Sequence, residues 1–156
     1  MTEPSERRRL TPGQWFVVGQ FTLLLGVVVA PGSPQPRSRI MTVPGAALLT
    51  AGALLAGWGL RSLGRNLTAL PEPVEHAELV ETGVYRWVRH PIYGGLLLLA
   101  GGWSLRRGSP AGLALTAALL GLLQAKARYE EQALSARFPG YPEYARRVRR
   151  FLPGVY

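Results

Sequence analysis

No cysteine occurs among the 156 residues, which excludes disulfides, thiolate zinc sites and a cysteine nucleophile. Only two histidines are present, His76 and His90, and they form no paired-ligand pattern, so no metal is expected. There is no glycine-rich phosphate loop. The nearest run, Gly57-Trp58-Gly59 with Gly64, lies in an apolar stretch and has the wrong spacing. A soluble Rossmann-type domain is therefore not indicated. Charge is scarce too: 17% of residues are charged against 47% apolar, and the charges fall mostly between apolar blocks. Such clustering points to membrane segments rather than to a mixed soluble surface.

The net charge of +9 would suit nucleic-acid binding in a soluble protein. Here, however, the basic residues, 17 arginines and the single Lys126, flank apolar blocks. Arginine beside a bilayer meets anionic headgroups and sets topology, so the expected partner is the bilayer and not nucleic acid.

One domain spanning 1–156 is expected, all-α and polytopic, with about four transmembrane helices near 15–30, 43–63, 91–105 and 110–125. Val28-Val29-Ala30 has the look of a signal cleavage site, but Pro31 follows directly, so the first helix is read as uncleaved. Pro31–Arg39 is a turn-forming linker. The second block carries two small-residue pairs at four-residue spacing, Gly52/Ala56 and Ala53/Gly57, suited to close helix approach in lipid. The last two blocks are short: about 14 residues at 1.5 Å each cover about 21 Å, less than a hydrocarbon core of about 30 Å. They form a hairpin that either spans thinly or dips and returns. From Lys126 onward the chain becomes charged and amphipathic, as expected of interfacial helices.

If four segments span, the side holding both termini carries fourteen basic residues and the other side four. The positive-inside rule then places both termini in the cytoplasm. The Gly/Ala/Arg-rich composition suggests a GC-rich bacterial genome, hence the bacterial cell membrane.

Two cytoplasmic segments, 64–93 and 126–153, hold most of the chemically useful groups, and the hairpin between them brings them together. His90 precedes Pro91 and is placed as the N-cap of the third apolar helix. The free amides at that helix start, with Arg89, make an anion site. Equally, Arg86, Arg89, Tyr85, Trp87 and Tyr93 fit an interfacial anchor belt. Glu130 and Glu131, one turn after Lys126 and close to Arg128, either hold a ligand ammonium or form a solvated helix face.

At these residues the sequence resembles the isoprenylcysteine carboxyl methyltransferase and phospholipid methyltransferase superfamily. The first part of the resemblance is Leu79-Val80, Gly83-Val84-Tyr85-Arg86 and Arg89-His90-Pro91-Ile92-Tyr93. The second is Glu130-Glu131, Leu134, Phe138, Tyr141, Tyr144 and Arg150-Phe151-Leu152-Pro153. It covers about half the chain, from Gly64 to Pro153. The resemblance implies a helical membrane enzyme that transfers methyl from S-adenosyl-L-methionine to a lipophilic or lipid acceptor. It assigns cofactor binding to Leu79, Val80, Tyr85, His90, Pro91, Ile92, Tyr93 and Glu130. It assigns acceptor positioning to Lys126, or to Arg128 in its place. The bottom-up reading adds Arg89 for the cofactor carboxylate, and Glu131 or His76 as a proton acceptor should the acceptor be an amine. The two competing readings are an NADPH-dependent membrane reductase and a non-enzymatic membrane scaffold.

Overall fold

The computed structural model describes residues 11–33, 39–68, 70 and 78–153. His76, the Arg7–Arg9 cluster and most of the Pro31–Arg39 linker lie outside the described residues. Among the described residues five helices follow one another: α1 (Pro12–Val29), α2 (Arg39–Leu63), α3 (Pro91–Arg107), α4 (Pro110–Arg137) and α5 (Tyr141–Arg147). Short 3₁₀ turns lie at Gly64–Asn66 and Gly83–Arg86. Among the described residues there is no strand, only one parallel bridge between Val88 and Arg149.

Local chemistry sets the helix limits. Thr11 caps α1 in a reciprocal capping box with Gln14, and proline occupies the first turn of α1, α3 and α4, where its missing N–H is not needed. Gly108, with φ of 55°, ends α3 in the left-handed region, and Ser109 caps α4 by accepting from the Gly112 amide. The turn between α3 and α4 is thus two residues long, and the helices run antiparallel.

Among the described residues three stretches are long and apolar enough to cross a membrane: Pro12–Val29, Met41–Asn66 and Pro110–Arg137. Less than a third of each is buried within the protein. Trp15, Phe21, Leu25, Leu54 and Trp58 are all more than half exposed, an arrangement suited to lipid rather than water. These features mark an integral membrane protein. At 17 residues α3 is about 25 Å long and is the central helix, packed against α1, α2 and α4.

The sequence-based boundary near residue 125 is not where α4 ends. The helix runs unbroken for 28 residues, to Arg137. No glycine or proline interrupts residues 122–138, and the segment is rich in strong helix formers. Its buried stripe also continues, through Leu119, Leu123, Lys126 and Ala127, so the onset of charge at Lys126 marks a change of environment and not a break.

The α2–α3 seam is built on glycine. A Cβ on Gly52 would lie 2.7 Å from the Gly95 carbonyl, and one on Gly95 would lie 2.7 Å from the Gly52 carbonyl and 2.6 Å from the Ala56 Cβ. Gly45 and Gly102 repeat this contact seven residues away on each helix, and Gly59 meets Pro91. Of the two small-residue pairs expected from sequence, Gly52/Ala56 forms the seam, whereas nothing approaches Gly57 within 4 Å. A separate core cluster (Val27, Ala100, Leu119, Leu123, Ala127 and Phe151) joins α1, α3, α4 and the C-terminal tail.

Candidate functional site

Segments 64–93 and 126–153 meet because the C-terminal tail is threaded back along the start of α3. Arg149 and Arg150 carbonyls accept from the amides of Arg89 and His90, both at 2.8 Å. The Arg89 guanidinium donates to the Ala145 carbonyl on α5 (2.6 Å), and the Tyr144 hydroxyl donates to the Tyr85 carbonyl (2.6 Å). Gly94 is needed here: any Cβ would fall onto the Phe151 carbonyl.

At the other edge, Asn66 acts as a clasp. Its Nδ2 donates to the Glu78 carbonyl (3.1 Å), and the Glu78 amide donates back to its Oδ1 (3.3 Å). This sets the segment entering Leu79-Val80.

Between these supports lies a cavity of about 480 Å³. Leu79, Val80, Tyr85, Arg89, His90, Ile92, Tyr93, Lys126 and Glu130 all line it, so segments distant in sequence share one space. Pro91 is fully buried behind the lining, against Gly59. Arg128 is exposed and lies off the lining, as does Glu131.

Within the cavity the polar groups are ordered around Tyr93. Its hydroxyl donates to Glu130 Oε2 (2.9 Å), and the His90 ring stacks parallel to it at 5.2 Å. His90 Nδ1 lies 3.6 Å from the same Glu130 oxygen. Lys126 Nζ sits 5.1 Å from the Tyr93 ring centroid and donates to Gln20 Oε1 at 2.9 Å. Burial pushes the hydroxyls of Tyr85, Tyr141 and Tyr144 well above their ordinary range, so these groups stay neutral. Phe21 and Leu24 of α1, Leu60 and Leu63 of α2, and Leu96 of α3 supply the apolar wall.

Glu131 faces the tail instead. It accepts from Arg150 Nε (3.1 Å) and Nη2 (2.7 Å) and from His90 Nε2 (3.0 Å), with Arg89 Nη2 at 3.4 Å. A carboxylate so engaged locks α4, the α3 start and the tail together.

Sequence reasoning did not single out Gln20, Asn66 or the ion-pairing role of Arg150. Gln20 had one signal, a lone amide inside the apolar run of α1. Asn66 had none beyond its place at the end of an apolar block.

A family model described as phospholipid methyltransferase matches residues 40–140. The chain belongs to the phospholipid methyltransferase family. It is also 31% identical over 115 residues to protein-S-isoprenylcysteine O-methyltransferase B of Arabidopsis thaliana, which covers 71% of this chain and 58% of that protein. It is 34% identical over 110 residues to the nickel-cobalt-cadmium resistance protein NccN of Alcaligenes xylosoxydans xylosoxydans, covering 69% of this chain and 51% of that one. The chain thus spans about half the length of these curated relatives. The phospholipid methyltransferase match includes nearly all of α2, and all of α3 and α4, and with them every cavity residue expected from sequence. It excludes α1, which contributes Gln20, Phe21 and Leu24, and it ends before α5 and the tail.

Proposed function

We propose that the protein transfers a methyl group from S-adenosylmethionine to a lipophilic acceptor held at the bilayer. The observation that carries this reading is the convergence of Leu79, Val80, Tyr85, His90, Ile92, Tyr93 and Glu130 on one cavity. Its volume falls in the range of about 300–1,000 Å³ usual for small-molecule sites. The donor set also fits. Glu130 is an acid able to receive the cofactor ammonium. Arg89 and the amide-bearing start of α3 suit its carboxylate, and the faces of Tyr85 and Tyr93 suit a sulfonium or an adenine. Bound there, S-adenosylmethionine supplies a methyl activated toward direct displacement. The protein's part is to align the acceptor and keep water out. The leucine wall shared by α1, α2 and α3 holds an apolar tail, and Lys126 lies beside it to orient the reacting head.

Candidate acceptors are a lipophilic carboxylate or thiol and a phospholipid amine. Glu131, tied to Arg150 and His90, acts as a positioning residue. Glu130→Ala and His90→Ala are each expected to weaken calorimetric binding of S-adenosylmethionine to detergent-purified protein by at least about 1.4 kcal/mol, a factor of ten. Unchanged affinity in both variants, with unfolding temperature preserved, would remove the assignment.

In the same reading α3 makes a fourth crossing, shielded by its neighbours, and both termini lie in the cytoplasm of a bacterial cell. A reporter fused after Tyr156 is expected to read cytoplasmic, in line with the excess of arginine on that side. A periplasmic signal would reverse the orientation.

A further inference from the structure

The run Arg146-Arg147-Val148-Arg149-Arg150 puts four arginines into five residues. A charge run is ordinarily a solvated face. Here it folds around a second space, a groove of about 390 Å³ between the end of α5 and the start of α3. Its lining is these four arginines with Arg89, Ala145 and Val148, and no acid. Only Arg89 also lines the larger cavity, so one guanidinium is the common wall of the two spaces.

Five like charges around one groove repel unless something offsets them. Glu131 offsets Arg89 and Arg150 from the buried side. Arg147 meets Glu81 at 3.4 Å and Glu143 at 4.0 Å, but these side chains are 40% to 69% exposed, and such pairs hold little. Among the described residues Arg146 and Arg149, both exposed, make no ion pair. Arg89 Nε is buried and has no hydrogen-bond partner among them. Two carbonyls near the end of α5 that would repel an anion are engaged: Tyr144 accepts from the Val148 amide, and Ala145 from Arg89 Nη1. The groove therefore holds positive charge in excess, in guanidinium forks whose geometry matches phosphate oxygens.

The surroundings favour a lipid as the source of that phosphate. The groove adjoins the start of α3, at one end of the helix bundle. Trp87, next to the Val88–Arg149 bridge, is more than half exposed, with the Arg86 guanidinium 5.2 Å from its ring centroid. An exposed tryptophan and a cation at the end of a membrane helix belong to the head-group layer.

We propose that this groove is a binding site for the phosphate of an anionic phospholipid head group, held by Arg146 and Arg149 and separate from the methyl-transfer cavity. The site does not depend on the methyl-transfer reading.

The test titrates dioctanoyl phosphatidate, dioctanoyl phosphatidylcholine and inorganic phosphate into the full chain in neutral detergent, by calorimetry with detergent blanks subtracted. Phosphatidate is expected to bind at least about tenfold tighter than either of the others. Arg149→Gln and Arg146→Gln should each reduce that preference to within about threefold. Both side chains are exposed, and Arg149 holds the tail through its carbonyl, so the unfolding temperature should not move. Arg61→Gln removes the same charge from the last turn of α2 and should keep the preference. A wild type without preference, or an Arg149→Gln variant that keeps it, would overturn the proposal. Equal losses in Arg61→Gln and Arg149→Gln would overturn it too, since the attraction would then be to net charge and not to this groove. Inorganic phosphate bound as tightly as phosphatidate would overturn the lipid assignment. S-adenosylmethionine binding, read on the same samples, should be the same in Arg149→Gln as in wild type. Its absence from wild type would sink the methyl-transfer reading and leave the phosphatidate ratio to decide this one.

Discussion

Glu131→Ala is expected to lower stability by about 3 kcal/mol and to free the C-terminal tail for proteolysis. The glutamate side chain is 14% exposed, and Arg89 and Arg150 are 11% and 20% exposed, so removing the acid leaves two largely buried guanidinium groups without their shared carboxylate. The loss should spread. Arg150 would release the tail whose carbonyls accept from Arg89 and His90, and His90 would lose its Nε2 partner. Trypsin is a direct probe, because Arg146, Arg147, Arg149 and Arg150 lie within or just before the clamped segment. Faster cleavage there, together with a lower unfolding temperature in detergent, is the expected result. A variant as trypsin-resistant as wild type would show that the tail is held without the Glu131 ion pairs. The neighbouring Glu130→Ala should leave the tail in place, because its partners are Tyr93 and His90 within the cavity.

Gly95→Leu is expected to force α2 and α3 apart and to cost about 3 kcal/mol or more. The obstruction is backbone, the Gly52 carbonyl at 2.7 Å, and backbone cannot rotate away as a side-chain tip can. Gly57→Leu on the open face of α2 is the control and should be near neutral, because nothing lies within 4 Å of its Cβ position. Thermal unfolding of both variants in the same detergent checks the pair. Equal behaviour would mean that the seam yields more readily than its contacts require.

Much of the fold was legible because prolines and glycines punctuate the chain. Pro91 and Pro110 mark helix starts, Gly108 marks a stop, and the apolar blocks between them are hard to misread. The end of α4 was not legible, because a charged sequence can continue a buried helix when its charges turn toward a site. Glu130 and Glu131 show the same limit. Adjacent residues on a helix point about 100° apart, and only the tertiary arrangement tells which faces the cavity and which faces the tail. The sequence resemblance drew attention to segments that line the cavity, but Gln20 stayed hidden: one amide among leucines and valines looks incidental until Lys126 is found beside it. The glycine register was half legible. Four-residue pairs were the expected device, whereas the contacts follow a seven-residue period through Gly45, Gly52 and Gly59.

That period has a mechanical consequence. Where main chain rests on main chain at several successive points, one helix cannot slide along the other without driving a Cβ into a carbonyl. Leu60 and Leu63 on α2, and His90 to Leu96 on α3, therefore travel as one rigid jaw. The opposing jaw is α1, which meets its neighbours through side-chain contacts such as Gly19 with Leu122 and Gln20 with Lys126. The gauge of the cavity on one side is fixed by peptide dimensions, and accommodation of bulkier guests falls to α1.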